Sequence, residues 1–173
     1  MADKPESASG RASAQRGSRA SLMHVGRRVD YAVRALAYLA AQPEGRVVCR
    51  TEIEARQHIP RSYLAKILRR LVAAGMLESV SGVHGGFRLS RPPATVTIRQ
   101  IYEAVEGELA LIDCLRGDVC SFDPVCSQID VWRGAQRRLA AYLDGISIAD
   151  LADSQGLTAR LAAARERAKT ETE

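Results

Sequence analysis

Residues 59–90 read IPRSYLAKILRRLVAAGMLESVSGVHGGFRLS, and two different periods meet in them. Leu64, Ile67, Leu68, Leu71 and Val72 fall at i, i+3, i+4, i+7 and i+8, the single apolar stripe of an amphipathic helix. Pro60 stands at or just before its first turn, where a missing N–H costs nothing, and Gly75 is placed to end it. From Leu77 the period drops to two. Leu77, Ser79 and Ser81 alternate with Glu78 and Val80, residues 82–86 make a glycine-rich turn, and Phe87 and Leu89 alternate with Arg88 and Ser90. A helix followed by a glycine-tipped β-hairpin is the second half of a winged helix-turn-helix.

The first half stands upstream. Val29, Ala32, Val33, Leu36, Leu39 and Ala40 share one face of a helix of roughly residues 26–42, stopped by Gln42-Pro43-Glu44-Gly45. Thr51 with Glu54 is a capping-box pattern, which predicts a short second helix from near Glu52. The order of elements is therefore that of a winged helix-turn-helix. The buried stripe of the third helix leaves Arg61, Ser62, Tyr63, Lys66, Arg69 and Arg70 outward. The early residues sit where base edges are read and the later arginines where phosphates lie. His84 and Arg88 on the wing belong to the same expected DNA-binding set. Any one of these charges taken alone reads better as a solvated helix face. Their coincidence with the order of elements is what points to double-stranded DNA. Arg27, Arg28 and Arg34 on the first helix suit backbone contacts or solvent.

Charge agrees with this division. Residues 24–91 hold 12 Lys/Arg against 5 Asp/Glu, hence +7, whereas residues 92–173 hold 9 against 13, hence −4. A basic half attached to an acidic half suits a polyanion partner for the first. No apolar run approaches the ~18 residues that cross a bilayer, so no membrane partner is expected. The N-terminal MADKPESASGRASAQRGSRAS lacks the apolar core of a secretion signal, which points to the cytoplasm and to reduced thiols. No Ser/His/Asp set or phosphate-binding loop appears, so the chain does not read as an enzyme.

Arg91-Pro92-Pro93 ends the hairpin, and Thr97 with Gln100 is a second capping box opening a helix through about Gly107. Then comes CLRGDVCSFDPVC, with Cys114, Cys120 and Cys126 spaced C-x₅-C-x₅-C. Zinc sites usually take closer cysteine pairs, whereas an iron–sulfur cluster suits wider spacing. A thiol switch and plain structural cysteines are the alternatives. A long helix of residues 127–144 follows, with Ile129, Trp132, Ala135, Leu139 and Tyr142 or Leu143 along one seam. So short a chain offers that seam no partner except a second copy of itself, which predicts a homodimer. Ser147 is placed to cap one further turn, the Ala/Arg/Glu-rich end to fray, and Cys49 to be a small buried residue. The expected divisions are a disordered tail (1–22), a winged helix-turn-helix DNA-binding domain (23–107), a cysteine loop (108–126), a dimerisation helix region (127–152) and a flexible tail (153–173). The fold class is mainly α with a small β-hairpin wing.

The stretches VDYAVRALAYLA, IPRSYLAKILRRLVAAGMLES, GVHGGFRL and TIRQIYEAVEG, then the cysteine loop and VWRGAQRRLAAYLDGISIADL, resemble the IscR/NsrR-type bacterial transcription regulators from about Met23 to Leu151. The resemblance implies a dimeric winged-helix regulator, a repressor by preference. It further implies that its cysteine loop holds an iron–sulfur cluster, 4Fe-4S or 2Fe-2S; the DNA expected for the dimer is a palindromic operator. Such regulators respond to nitric oxide, oxidants or cluster supply. Ile129 occupies the position where IscR-like members carry a histidine ligand. NsrR-like members use an aspartate from the partner subunit's first helix, and the matching position here is Asp30. This chain is therefore more similar to the nitric-oxide-sensing branch. An exposed carboxylate near Arg27 and Arg34 is the other reading of Asp30, and His24 is the rival ligand. Ser81 stands where family members often have an arginine before the first wing glycine. A cluster-free thiol-switch regulator and an iron–sulfur electron-transfer protein are the competing functions, although the latter has no use for a basic helix and wing.

Overall fold

The stripe that defines the third helix lies at the centre of the core: Leu64, Ile67, Leu68 and Leu71 are all buried. The computed structural model describes residues 25–116 and 126–153. Around the stripe are helices α1 (Arg27–Ala40), α2 (Arg50–Gln57) and α3 (Arg61–Ala73), strands β1 (Leu77–Val80) and β2 (Gly86–Leu89), and helices α4 (Ile98–Glu106), α5 (Ile129–Asp144) and α6 (Ile148–Ala152). Short 3₁₀ turns occupy Pro93–Thr95 and Asp113–Arg116. The expected tails at residues 1–22 and 153–173 fall almost wholly outside the described residues.

Helix α3 ends as its glycine predicts. Gly75 has φ +67°, its N–H donates to Val72 O at 3.0 Å, and the Met76 N–H donates to Leu71 O at 3.0 Å. These are the paired bonds of a Schellman motif, and they turn the chain directly into β1. Helix α2 begins earlier than its capping pattern predicts. Cys49 is the N-cap, no side chain caps it, and Thr51 already lies in the first turn. The reason is tertiary: Val48 and Phe87 exchange backbone hydrogen bonds at 2.9 Å, which pins the chain to the hairpin one residue before the N-cap. His58, at φ 50° and ψ 42°, makes the turn between α2 and α3. Few residues other than glycine adopt that conformation.

The capping box at Thr97 forms as predicted, and a second one joins Ser147 to Asp150. Here the chain folds back on the segment that leads into α4. The Ile98 N–H donates to Ile146 O at 3.0 Å and the Ile148 N–H to Val96 O at 2.9 Å, so residues 146–148 run against residues 96–98. Arg99 bridges Asp144 at 2.9 Å across the same junction. Ile148 is fully buried in the core that contains Leu36 and Ile101. Helix α5, by contrast, has no buried residue, and Val131 and Tyr142 are 68% and 52% exposed. Among the described residues no helix is long and apolar enough to cross a membrane.

Candidate nucleic-acid interface and cysteine loop

The exposed face of α3 carries Arg61, Ser62, Tyr63, Lys66, Arg69 and Arg70. The N-terminal half of this helix is held from α1. The Tyr63 ring meets Tyr31 edge-on with centroids 5.7 Å apart, and the Arg34 guanidinium stacks 5.8 Å from the Tyr31 ring. Arg34 also donates to the carbonyl of Gln57, the last residue of α2. Helices α1, α2 and α3 are thus joined at the start of α3, a contact that the sequence pattern did not announce. Arg61, Lys66 and Arg69 have no ion pair or hydrogen bond among the described residues.

Two members of the expected DNA-binding set already have partners within the chain. Arg70 donates to the carbonyl of Val105, near the end of α4, where the last helical carbonyls lack partners of their own. Arg88 faces Glu78 directly across the antiparallel pair and binds it through two contacts of 3.0 and 3.1 Å. Arg28 likewise pairs with Glu106 at 2.7 Å. The result is a groove of about 780 Å³ between α1, α3 and α4, in which Arg28 and Arg70 form fixed walls and Lys66 and Arg69 remain available. His84 is exposed on the turn of the wing.

Cys49 is exposed rather than buried. Its Sγ lies 3.2 Å from Thr51 Oγ1. The Thr51 hydroxyl, and after it the Glu52 backbone, draw the thiol below its usual range because both stabilise the thiolate. Its place as the N-cap of α2 was the missed signal.

Cys114 is exposed in the turn Asp113–Arg116, and Cys126 is half-buried three residues before α5. Cys120 and His24 lie outside the described residues. The approach to the loop is tied to α5, for the Leu111 N–H donates to Gln136 Oε1 at 3.2 Å. Asp30 is exposed in the first turn of α1, 3.5 Å from Arg34, and Ile129 opens α5. Among the described residues no three His, Cys, Asp or Glu side chains come together as metal ligands.

The pattern described as "Rrf2: Iron-dependent Transcriptional regulator" matches residues 25–154. The chain belongs to the Rrf2 family. It is a transcriptional regulator and not an enzyme, as the order of its elements predicts. Among solved Rrf2-like structures, CymR (YrzC), the global cysteine regulator of B. subtilis, is 20% identical with a TM-score of 0.65, covering 77% of this chain and 98% of its own. The T. potens IscR structure is 26% identical with a TM-score of 0.60, covering 77% and 88%. The oxidized form of Staphylococcus aureus CymR is 22% identical with a TM-score of 0.59, covering 75% and 96%. At these identities the CymR likenesses speak for the Rrf2 winged-helix fold alone.

Proposed function

We propose that this Rrf2 chain is a homodimeric repressor that binds a palindromic operator in the cytoplasm and releases it when its cysteine loop is altered by nitric oxide or oxidation. The observation that carries the reading is the placement of α5. No residue of that helix is buried in the protomer, its first turn follows Cys126, and its last turn runs into the segment paired with residues 96–98. A second copy covering α5 would make one rigid lever between the cysteine loop and the winged helix. Two α3 helices must meet half-sites about 34–36 Å apart, so a small change in the lever's angle is enough to lose the match.

Cys114, Cys120 and Cys126, with Asp30 from the other subunit, are the proposed ligands of an iron–sulfur cluster, 4Fe-4S or 2Fe-2S. When bound, it would supply a centre that nitric oxide and oxidants attack. The donor chemistry fits: Cys114 is exposed, Cys126 only half-buried, and Asp30 is exposed with a loose ion pair to Arg34. Residues 108–126 bridge α4 and α5, so fixing them fixes α5. Ile129 in place of a histidine, together with Asp30, favours the nitric-oxide branch. A second reading, in which the thiols act without a cluster, is supported by the exposed Cys49 with its lowered thiol.

The test is an anaerobic operator titration read alongside absorbance and iron content. Cys120→Ala should abolish iron binding, whereas Asp30→Ala should keep a cluster with an altered spectrum and nitric oxide response, because one hard oxygen ligand is replaceable by water. Iron-free protein whose operator binding responds to oxidant would favour the thiol reading. Equal affinity of the cluster-loaded, damaged and cysteine-free forms would refute sensing by this loop.

A further inference from the structure

Helix α5 is attached to the winged helix through a narrow joint. On one side of Gly145 the chain is fixed: Ile146 O accepts from the Ile98 N–H, the Ile148 N–H donates to Val96 O, and Ile148 is fully buried. On the other side α5 has no buried residue. The partly buried side chains packed on the core come from α1, α3, β2, α4 and α6, with none from α5. An open cleft of about 350 Å³ lies between α4 and α5, lined in part by Arg99, Gln136, Ala140 and Asp144. One carboxylate spans the joint. Asp144, the last residue of α5, accepts from Arg99 Nη1 through Oδ2 at 2.9 Å and from the Thr97 hydroxyl through Oδ1 at 3.4 Å. Thr97 and Arg99 are the N-cap and the second residue of α4. Glu103 orients Arg99 in turn, its Oε1 accepting from Nε at 2.9 Å. Arg99 and Asp144 are 37% and 45% exposed, and ion pairs of that kind add little to stability. What this one fixes is a direction.

We infer that Arg99 is a positioning residue for operator spacing: with Asp144 it sets the angle between α5 and the winged helix, and so the separation of the two α3 helices in the dimer. The inference rests on the reading of the protein as a dimer on a two-half-site operator. Because the chain is anchored at Ile146 and Ile148, rotation at this joint carries all of α5 with it. A tilt of about 5° at Asp144 moves the far end of this 16-residue helix by roughly 2 Å. Two copies together then shift by roughly 4 Å, close to the ~3.4 Å of one base-pair step. A side chain far from the duplex thereby selects the length of DNA between half-sites without touching a base.

The experiment uses full-length protein and a two-half-site duplex selected from a random library, remade with spacers one or two base pairs longer and shorter. Wild type should lose about 10-fold or more for one pair gained or lost, the range of a single mismatched pair, and Arg99→Gln and Asp144→Asn about 3-fold or less. Arg99→Lys keeps a cation opposite Asp144 and should restore the wild-type profile. Glu103→Gln still accepts from Nε and leaves the contact across the cleft, so it should not change the profile. Circular dichroism and light scattering matching wild type verify fold and dimer in each variant. A merely structural role would lower affinity at every spacer alike. That result, an unchanged profile in both neutral variants, or a wild type indifferent to spacing overturns the inference. Enrichment of single half-sites only, or a monomeric wild type, overturns the dimeric operator reading itself, and the inference with it.

Discussion

Replacing Glu78 with glutamine should separate the stability of the wing from its grip on DNA, because the two are expected to move in opposite directions. Glu78 and Arg88 are register partners joined at 3.0 and 3.1 Å. Their side chains are 51% and 40% exposed, so solvent screens most of the attraction. A pair of that kind contributes about 0.2–1 kcal/mol, and the melting temperature should fall by no more than ~8 °C. In wild type a phosphate has to displace the carboxylate before Arg88 can serve it. In Glu78→Gln the guanidinium is free and a repelling charge is gone. One additional neutralised phosphate steepens the plot of log affinity against log salt by about 0.9, which amounts to roughly 3.5-fold between 50 and 200 mM salt. Anisotropy titrations of a labelled operator across that range, with Arg88→Gln as the opposite control, would read the slope directly. Wild-type slope and affinity in both variants would refute the reasoning, for then the wing strands do not approach phosphates at all.

Arg61→Ala should cost ~1–3 kcal/mol of operator affinity and relax specificity, whereas Arg69→Ala should weaken all sequences alike and flatten the salt slope by about 1; competition titrations against scrambled DNA at matched salt check both. Light scattering of wild type at micromolar concentration should give a dimer and Leu139→Asp a folded monomer, since α5 contributes nothing to the protomer's buried core; a wild-type monomer would exclude the proposed interface. Thr97→Ala should cost ~1 kcal/mol in urea unfolding because it removes a formed capping box. Thr51→Ala, with the same sequence pattern but no cap, should stay within ~0.5 kcal/mol.

That last contrast indicates what local sequence carries. The stripe of α3, its terminating glycine and the box at Thr97 depend on residues within a few positions of one another, and each is legible. The start of α2 is not, because the Val48–Phe87 pairing that sets it joins residues far apart in the chain. The same distance hid the partner of Arg70, a carbonyl on α4, and the opposition of Glu78 and Arg88, which depends on the length of the turn between the strands. The exposure of Cys49 escaped because a small residue before a helix reads as filler until the helix start is known. For the cysteine loop, spacing identified the candidate donors at Cys114, Cys120 and Cys126. Their arrangement depends on the conformation of the intervening residues, which spacing does not encode.

The return of residues 146–148 to residues 96–98 bears on how such a regulator can be assembled and rearranged. Ile148 lies beyond the cysteine loop in sequence yet inside the core of the winged helix in space. A chain cut before the cysteine loop would lose a fully buried isoleucine and the strand-like partner of residues 96–98, a deficit of at least ~2–5 kcal/mol by comparison with truncation of a core isoleucine to alanine. During synthesis the core therefore lacks its last wall until the cysteine loop has already left the ribosome. A fragment ending before the cysteine loop would be poorly folded, and exchange of that loop would have to occur by replacement within residues 108–126, not by joining ends.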